Sequence, residues 1–282
     1  MALPVYRTIA DMRAQVAAWK ADGLRVGLVP TMGALHAGHL SLVSEIAPHC
    51  DRIITSIFVN PAQFSAHEDL GTYPREEAAD LAALHATKAD CVFAPEVSEM
   101  YPDGFTTAIT LDGPALGLET DNRPHFFGGV ALIVNKLLSQ SQTDVAIFGE
   151  KDYQQLLVIR RMVRDLNQPV EILSGPIIRE ADGLAMSSRN VYLTDAHRPI
   201  AAKLNGILKA LAESKAESQD DREAAEAQAH DALMQAGFTS VDYSTIRDAE
   251  TLAVPTAATT SRRALIAARL GEVRLLDNMA AR

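Results

Sequence analysis

The sequence contains few cysteines, a deficit of basic residues and no long apolar run. Its two cysteines, Cys50 and Cys91, lie far apart outside any Cys-x-x-Cys pair, which favours reduced thiols over a disulfide or metal site. Lysine and arginine number 26 against 36 acidic residues, and the net charge of −10 argues against a large nucleic-acid interface. No uncharged apolar stretch reaches the roughly 18 residues of a membrane span, and no signal peptide is recognisable. These absences predict a cytoplasmic protein with no membrane or nucleic-acid partner.

The pattern along the chain indicates two domains. A chain of 282 residues is long for one domain, and its 48% hydrophobic content is enough for a sizeable core. Over residues 1–177, short apolar segments alternate with helical ones, which predicts a Rossmann-like, doubly wound parallel α/β sheet. From residue 178, Ala-rich helices followed by strands predict a smaller α+β domain over 178–282.

Apolar periodicity and turn residues predict the individual elements. Strands of the large domain are predicted at 24–29, 53–59, 91–94, 145–148 and 170–173, and antiparallel strands at 241–246, 263–268 and 273–276. Helices are predicted after Thr8 up to Gly23, after residue 35, and at 76–88, 130–138, 153–166, 196–212 and 221–236. Pro30, Asn60 and Gly149 fall at strand ends, where doubly wound sheets bind ligands.

The first candidate site lies between the first of these strands and its helix. It comprises Met32, Gly33, Ala34, Leu35, His36, Ala37, Gly38 and His39. The N–H groups and dipole of a helix start favour an anion, and glycines let a nucleotide approach the backbone closely. His36 and His39 lie one helical turn apart, so both imidazoles can hydrogen-bond phosphate oxygens. A metal pair completed by Glu45 and His49, or two surface histidines, is the alternative.

A second segment follows a later strand and opens a helix. It comprises Gly149, Glu150, Lys151 and Asp152. A cation at a helix start opposes the dipole, so Lys151 indicates an anionic ligand. Simple capping of the helix by the two acidic residues is the alternative.

Two further segments carry polar groups. One lies after Gly183 at the predicted domain junction and comprises Met186, Ser187, Ser188 and Arg189. Two hydroxyls and a guanidinium in a flexible loop suit a mobile phosphate clamp, although a solvated loop has the same composition. Gln63 stands beside an aromatic ring at a strand end, which suits a small polar substrate or an ordinary turn.

Five long motifs occur in order and at consistent spacing. They are Pro-Thr-Met-Gly-Ala-Leu-His-x-Gly-His at 30–39, Phe-Val-Asn-Pro-x-Gln-Phe at 58–64, Tyr-Pro-Arg at 73–75, Phe-Gly-Glu-Lys-Asp-Tyr-Gln-Gln at 148–155 and Asp-Gly-Leu-Ala-Met-Ser-Ser-Arg-Asn at 182–190. Together they closely resemble the pantoate–β-alanine ligase (pantothenate synthetase) family, and the match extends to Leu-Asp-Asn at 276–278. That family belongs with the nucleotidyltransferases and class I tRNA synthetases that share a His-x-Gly-His signature.

The resemblance implies an ATP-dependent condensation of pantoate with β-alanine. Pantoate attacks the α-phosphorus of ATP to give pantoyl adenylate and pyrophosphate, and β-alanine then releases AMP and pantothenate. Mg²⁺ should accompany ATP, held largely by phosphates and water, so no protein metal ligand is expected. The resemblance also implies a homodimer formed through the N-terminal domain.

The resemblance also implies roles for the candidate residues. Residues 32–39 would hold ATP, with His36 and His39 on the phosphates and His39 as the usual proton donor. Residues 149–152 would contact the nucleotide, with Lys151 on phosphate. The three expected catalytic residues are therefore His36, His39 and Lys151.

The remaining roles concern adenine, the triphosphate and the two small substrates. The backbone of Ile178 would touch adenine, and residues 186–189 would close over the triphosphate. Gln63 and Gln155 would hold pantoate, and Gln63 would also lie near β-alanine.

The sequence departs from the family pattern in two places. In the family a histidine commonly precedes the phenylalanine of the Arg-Pro-x-His-Phe-x-Gly-Val segment, but here Phe126 takes that position and His125 falls one residue early. We therefore leave His125 out of the site. Asp80 is retained in the acidic helix, but Ala79 and Ala83 stand where some members have polar groups, so no metal ligand is assigned there.

Three other functions are compatible with parts of this pattern. A small aminoacyl-tRNA ligase is disfavoured by the acidic composition and by the lack of a basic anticodon-binding domain. A nucleotidyltransferase acting on a phosphorylated vitamin precursor is disfavoured because Gln63 and Gln155 are amides, which suit an uncharged polyol acid. A non-enzymatic nucleotide sensor on the same fold would be expected to lack the histidines or Lys151. It is disfavoured because the sequence keeps all three residues.

Overall fold

The strands of residues 3–65 and 70–282, which this computed structural model describes, form two separate sheets. The large sheet comprises β1 (Val5–Tyr6), β2 (Val26–Thr31), β3 (Arg52–Ile57), β4 (Cys91–Phe93), β5 (Val145–Gly149) and β6 (Glu171–Gly175). Its order is β1-β4-β3-β2-β5-β6 with parallel pairing throughout, which confirms the predicted doubly wound α/β class. The small sheet is antiparallel and comprises β7 (Ser240–Asp248), β8 (Arg262–Leu270) and β9 (Val273–Ala281).

The helices cover both faces of the large sheet and one face of the small one. They are α1 (Ile9–Ala21), α2 (Ala37–Ile46), α3 (Glu77–His85), α4 (Val97–Met100), α5 (Glu119–Asn122), α6 (Phe126–Ser141), α7 (Tyr153–Asp165), α8 (Arg198–Ala201), α9 (Lys203–Ala212) and α10 (Gln219–Ala236). As predicted, Thr8 caps α1 by accepting from the backbone N–H of Asp11. No helix formed by residues 3–65 and 70–282 is long and apolar enough to cross a membrane.

The ligand-binding edge of the large sheet is created by the divergence of β2 and β5. These strands pair through Gly27 and Leu28 and then separate, which opens a crevice at the point where the strand order reverses. Pro30, which has no N–H to donate, lies in β2 beyond this pairing. β2 therefore continues to Thr31, and the predicted end at residue 29 was wrong because proline was taken as the stop.

Three other predicted boundaries were wrong for similar local reasons. α6 begins at Phe126 rather than at 130, because its early glycines lower helix propensity but pack against a neighbouring turn. The predicted helix 196–212 is divided into α8 and α9. β9 continues past residue 276, because the polar Asp277 and Asn278 are buried and hydrogen-bonded.

Separate cores support the two sheets. Clusters on either face of the large sheet are distinct from a third cluster built by α9, α10 and the small sheet. A buried ion pair joins the two parts: Arg274 on β9 donates to both carboxylate oxygens of Glu119 at 2.7 and 2.8 Å, and Tyr243 donates to the same carboxylate. This arrangement is compatible with domains at 1–177 and 178–282, and that exact boundary stays a prediction.

Candidate active site

A cleft of about 1020 Å³ lies between the C-terminal edge of the large sheet and the small sheet. Most of the predicted site residues line it, namely Met32, His36, Gly38, His39, Gln63, Gly149, Lys151, Asp152, Gln155, Ile178, Met186, Ser187, Ser188 and Arg189. The predicted residues outside its lining are Gly33, Ala34, Leu35, Ala37 and Glu150. Segments far apart in sequence thus meet around one space, because the strands that carry them end at one edge.

The loop before α2 is shaped by a buried carboxylate. Gly33 and Ala34 both adopt positive φ angles of 81° and 51°, and a Cβ at Gly33 would lie 2.9 Å from Asp80 Oδ2. The N–H groups of Ala34 and Leu35 donate to Asp80 at 3.0 and 2.7 Å. Asp80 is 4% exposed, and burial raises its pKa. Asp80 therefore holds the turn that presents α2 to the cleft, a role that the sequence did not reveal.

Replacing Asp80 with asparagine is expected to weaken binding of a ligand at the start of α2. The amide has one acceptor oxygen in place of two, so one buried backbone N–H loses its partner, at a cost of about 1–3 kcal/mol. We expect a rise of about tenfold in KM for the substrate bound there and a lower melting temperature. The exposed Asp220 at the start of α10 provides the control: Asp220→Asn should change neither value.

The two histidines form a reciprocal cap at the start of α2. His36 is the N-cap, its Nδ1 accepts from the N–H of Gly38 at 3.2 Å, and His39 Nδ1 accepts from the N–H of His36 at 3.4 Å. The ring centroids lie 4.1 Å apart. Because both Nδ1 atoms accept, a neutral ring carries its proton on Nε2 and can donate it to a ligand in the cleft.

Burial keeps both imidazoles neutral. Desolvation, followed by the charge of Lys151, lowers the pKa of His36 to about 4. Desolvation, followed by the neighbouring His36 and by Lys151, lowers the pKa of His39 to about 3. Near pH 7 both rings are therefore hydrogen-bond donors without charge, and the role of His39 as a proton donor stays a prediction.

The histidine pKa values predict how stability depends on pH. The folded pKa values lie below the ordinary value of 6.5, so the unfolded chain binds more protons between about pH 3 and pH 6.5. The stabilisation is complete above about pH 6.5 and is lost as the pH falls. Urea unfolding at pH 7 and pH 5 should show the wild type losing more free energy than His39→Asn. An equal loss in both proteins would contradict the lowered pKa of His39.

The turn carrying Lys151 faces the histidines across the crevice. A 3₁₀ turn over Glu150–Asp152 follows β5 and leads directly into α7, as the motif predicts for a helix start. Lys151 Nζ lies 3.6 Å from Asp152 Oδ2, and Asp152 makes no side-chain cap to α7. The capping alternative therefore does not account for Asp152, while Lys151 supplies positive charge to the cleft.

A network of amides lies at the deep end of the cleft. Gln63 is buried; its Oε1 accepts from Asn60 Nδ2 at 3.1 Å and its Nε2 lies 3.2 Å from the sulfur of Met32. Gln155 lines the cleft from α7, whereas the adjacent Gln154 holds the segment before α5 through the N–H of Glu119 and nearby carbonyls. Both glutamines line the cleft, but the side-chain amide of Gln154 is engaged by these protein groups.

An arginine that the sequence analysis missed also lines the cleft. The Arg123 guanidinium stacks 3.7 Å above the Phe126 ring and its NH2 lies 3.4 Å from the carbonyl oxygen of Gln63. Phe126 lines the cleft, while His125 is exposed and outside its lining. The signal was present in the Arg-Pro segment of the family motif, but only the stacking places this cation beside Gln63.

Residues 186–189 meet the large domain across the cleft. Ser187 caps a 3₁₀ helix over Ser188–Tyr192, so the segment predicted as a flexible loop is partly helical. The hydroxyls of Ser188 and Tyr73 lie 3.2 Å apart, and Tyr192 donates to the carbonyl of Thr72 at 3.0 Å. The carbonyl of Ile178 accepts from the N–H of Met186 at 2.9 Å. This bond joins the predicted adenine contact to the segment predicted to cover the triphosphate.

Comparison with known proteins shows similarity over almost the whole chain. A family model described as Pantoate-beta-alanine ligase matches residues 4–280. Pantothenate synthetase of Mesorhizobium japonicum is 52% identical over 277 residues, covering 98% of this chain and 96% of the relative. The pantothenate synthetase of Caulobacter vibrioides is also 52% identical, over 279 residues, covering 98% of each chain.

Solved structures show the same similarity. Crystalline pantothenate synthetase from Thermus thermophilus superposes with a TM-score of 0.89 at 41% identity, covering 98% of this chain and 99% of that one. The pantoate–β-alanine ligase from Francisella tularensis, described as complexed with β-γ ATP and β-alanine, has a TM-score of 0.83 at 31% identity. That comparison covers 99% of this chain and 98% of the other.

Proposed function

This chain belongs to the pantoate–β-alanine ligase family, and from that membership we propose that it condenses pantoate with β-alanine in an ATP-dependent reaction. The products are pantothenate, AMP and pyrophosphate. The observation that carries the proposal is the meeting of His36, His39 and Lys151 with Gln63 and Gln155 around one cleft. The Francisella tularensis relative, described as complexed with β-γ ATP and β-alanine, supports the same substrates here.

The first step activates the carboxylate. A pantoate oxygen forms a bond to the α-phosphorus of ATP, the bond from that phosphorus to the bridging oxygen breaks, and pyrophosphate leaves. The Nε2–H groups of His36 and His39 and the charge of Lys151 stabilise the negative charge on the phosphates. The cleft-lining members of residues 32–39 and 149–152 hold the nucleotide, Ile178 lies against adenine, and residues 186–189 close over the triphosphate.

The second step forms the amide. The amine of β-alanine attacks the carbonyl carbon of pantoyl adenylate, loses a proton, and AMP departs as the acyl–oxygen bond breaks. Gln63 and Gln155 hold the pantoyl group through amides, which suit its hydroxyls. Arg123, beside the carbonyl of Gln63, supplies the cation that the carboxylate of β-alanine needs.

Two parts of the proposal, Mg²⁺ and a homodimer, rest on the family resemblance, and a third, the cytoplasmic location, rests on the composition of the sequence. Mg²⁺ would accompany ATP, held largely by the phosphates and by water, and would neutralise charge on the phosphates. Asp80 has both oxygens engaged by backbone N–H groups, which agrees with leaving it out as a ligand. A homodimer and a cytoplasmic location complete the proposal, and sedimentation equilibrium tests the first of these.

Substrate dependence tests the proposed reaction directly. Pyrophosphate release from ATP should require pantoate, and AMP release should require β-alanine as well. Both products can be followed with purified protein by coupled assays. ATP turnover that ignores pantoate would remove the assignment, and turnover with a phosphorylated acid instead would favour the rival nucleotidyltransferase.

A further inference from the structure

A side chain of the small sheet is hydrogen-bonded to the turn that carries Lys151. Asn278 on β9 donates through Nδ2 to the carbonyl oxygens of Glu150 and Lys151, each at 2.9 Å. Asn278 is 2% exposed, and its Oδ1 accepts from Arg263 Nε at 2.7 Å. The donor from Arg263 fixes which end of the amide faces the turn, so the two bonds to the turn are made by the NH₂ group.

Arg263 on β8 also contacts this turn and the helix that follows it. Its NH2 donates to Glu150 Oε2 at 3.0 Å, and its guanidinium lies 4.0 Å above the ring of Tyr153. Its side chain is 12% exposed. Asn278 and Arg263 therefore both hold Glu150, Asn278 also holds the carbonyl of Lys151, and Arg263 packs on Tyr153 at the start of α7.

The neighbouring Asp277 contacts a different wall of the cleft. It is 2% exposed and accepts from Arg179 at 2.5 and 2.9 Å, and from the N–H of Asn278 at 2.8 Å. Arg179 also donates to the carbonyl of Gly183 at 3.0 Å. Arg179 directly follows Ile178, so consecutive residues of β9 fix both the Lys151 turn and the segment proposed to lie against adenine.

We propose that Asn278, oriented by Arg263, is a positioning residue that holds Lys151 where its ammonium group can contact the phosphates of ATP. The inference rests on the proposed function. Two carbonyl acceptors bound to one rigid amide leave the turn little freedom, and a displacement of about 1 Å at a charged contact can cost about 10²-fold in rate. Asn278 acts through Lys151 and takes no part in bond making.

Steady-state and partial reactions of Asn278→Ala test the proposal. The kcat/KM for ATP in pantoate-dependent pyrophosphate release should fall about 10²-fold. Aminolysis of supplied pantoyl adenylate by β-alanine should keep its KM for β-alanine, because the residues proposed to lie near β-alanine, Gln63 and Arg123, belong to other segments than the Lys151 turn. Asn278→Leu has a side chain of similar shape that cannot donate a hydrogen bond. It should show the same lower kcat/KM for ATP with an unchanged KM for β-alanine, and it replaces the alanine variant if that variant does not fold.

A double-mutant cycle separates positioning from general damage. In a Lys151→Ala background, Asn278→Ala should cause little further loss, because the group it positions is absent. Additive losses in the cycle would overturn the proposal. Thr245→Val is the matched control: it removes a hydrogen bond from buried Thr245, on β7 of the same sheet, to Glu226 on α10, and it should lower the melting temperature without changing KM for ATP.

The outcomes distinguish this inference from the proposed function. Wild-type protein that fails to release pyrophosphate in response to pantoate would overturn the proposed function, and the positioning role with it. Wild-type activity together with an unchanged Asn278→Ala variant would overturn the positioning role alone.

Discussion

His39→Ala is expected to lower the rate of pantoate-dependent pyrophosphate release by about 10²-fold or more. His39 lines the cleft, and its Nδ1 accepts from a backbone N–H, so its neutral ring carries the proton on Nε2 as an uncharged donor. Removing a preorganised donor from a site that develops negative charge has an effect of this size. Single-turnover measurement of pyrophosphate release gives the rate for the first step alone.

Two further variants serve as comparisons for His39→Ala. His39→Asn keeps a side-chain amide donor, and its rate should fall between those of the wild type and the alanine variant. His85→Ala removes an exposed histidine at the end of α3 and should leave the rate unchanged. An unchanged rate in His39→Ala would remove His39 from the mechanism, and the neutral-donor account of the paired imidazoles would fail with it.

Gly129→Ala is expected to disrupt both folding and substrate binding. A Cβ at Gly129 would lie 2.1 Å from the carbonyl oxygen of Ala62 and 2.7 Å from the backbone nitrogen of Gln63. Both contacts are with backbone, so α6 or the turn over Pro61–Gln63 has to move, at a cost of about 3 kcal/mol or more. Because the same turn carries Gln63, we expect KM for pantoate to rise about 10²-fold in whatever protein folds.

Gly206→Ala provides the matched control for this substitution. Gly206 also lies inside a helix, α9, but a Cβ there would meet nothing within 4 Å. The exchange should raise stability by about 1 kcal/mol, because alanine is the better helix former. Thermal unfolding of both variants decides the matter: a Gly129→Ala protein as stable as Gly206→Ala would show that α6 and the turn are not in close contact.

The large parallel sheet was predictable because its signals are local. Short continuous apolar segments such as Val145–Gly149 alternate with amphipathic helices such as Tyr153–Asp165, and both patterns are readable without knowledge of contacts. The family motifs placed His39 and Lys151 at strand ends for the same reason. The errors arose where local signals misled, as at Pro30 within β2 and at the glycines that open α6.

The supporting residues of the site were beyond reach of such signals. Asp80 lies 46 positions after Ala34, and Asn278 lies 127 positions after Lys151. A hydrogen bond at such a separation depends on how β2, α3 and β9 pack, and no pattern in the chain fixes that packing. Arg123 shows the same limit, because its stacking on Phe126 and its approach to Gln63 follow from the packing of α6.

The order of residues thus decided the class of fold, the motifs and the chemistry those motifs can carry, because each depends on side chains a few positions apart. The tertiary structure decided the protonation of His36 and His39, through the burial that lowers their pKa values. It also decided which neighbours orient Lys151 and the loop before α2. Desolvation and long-range hydrogen bonds exist only once distant segments are packed together, and for that reason they had to be read from the folded chain.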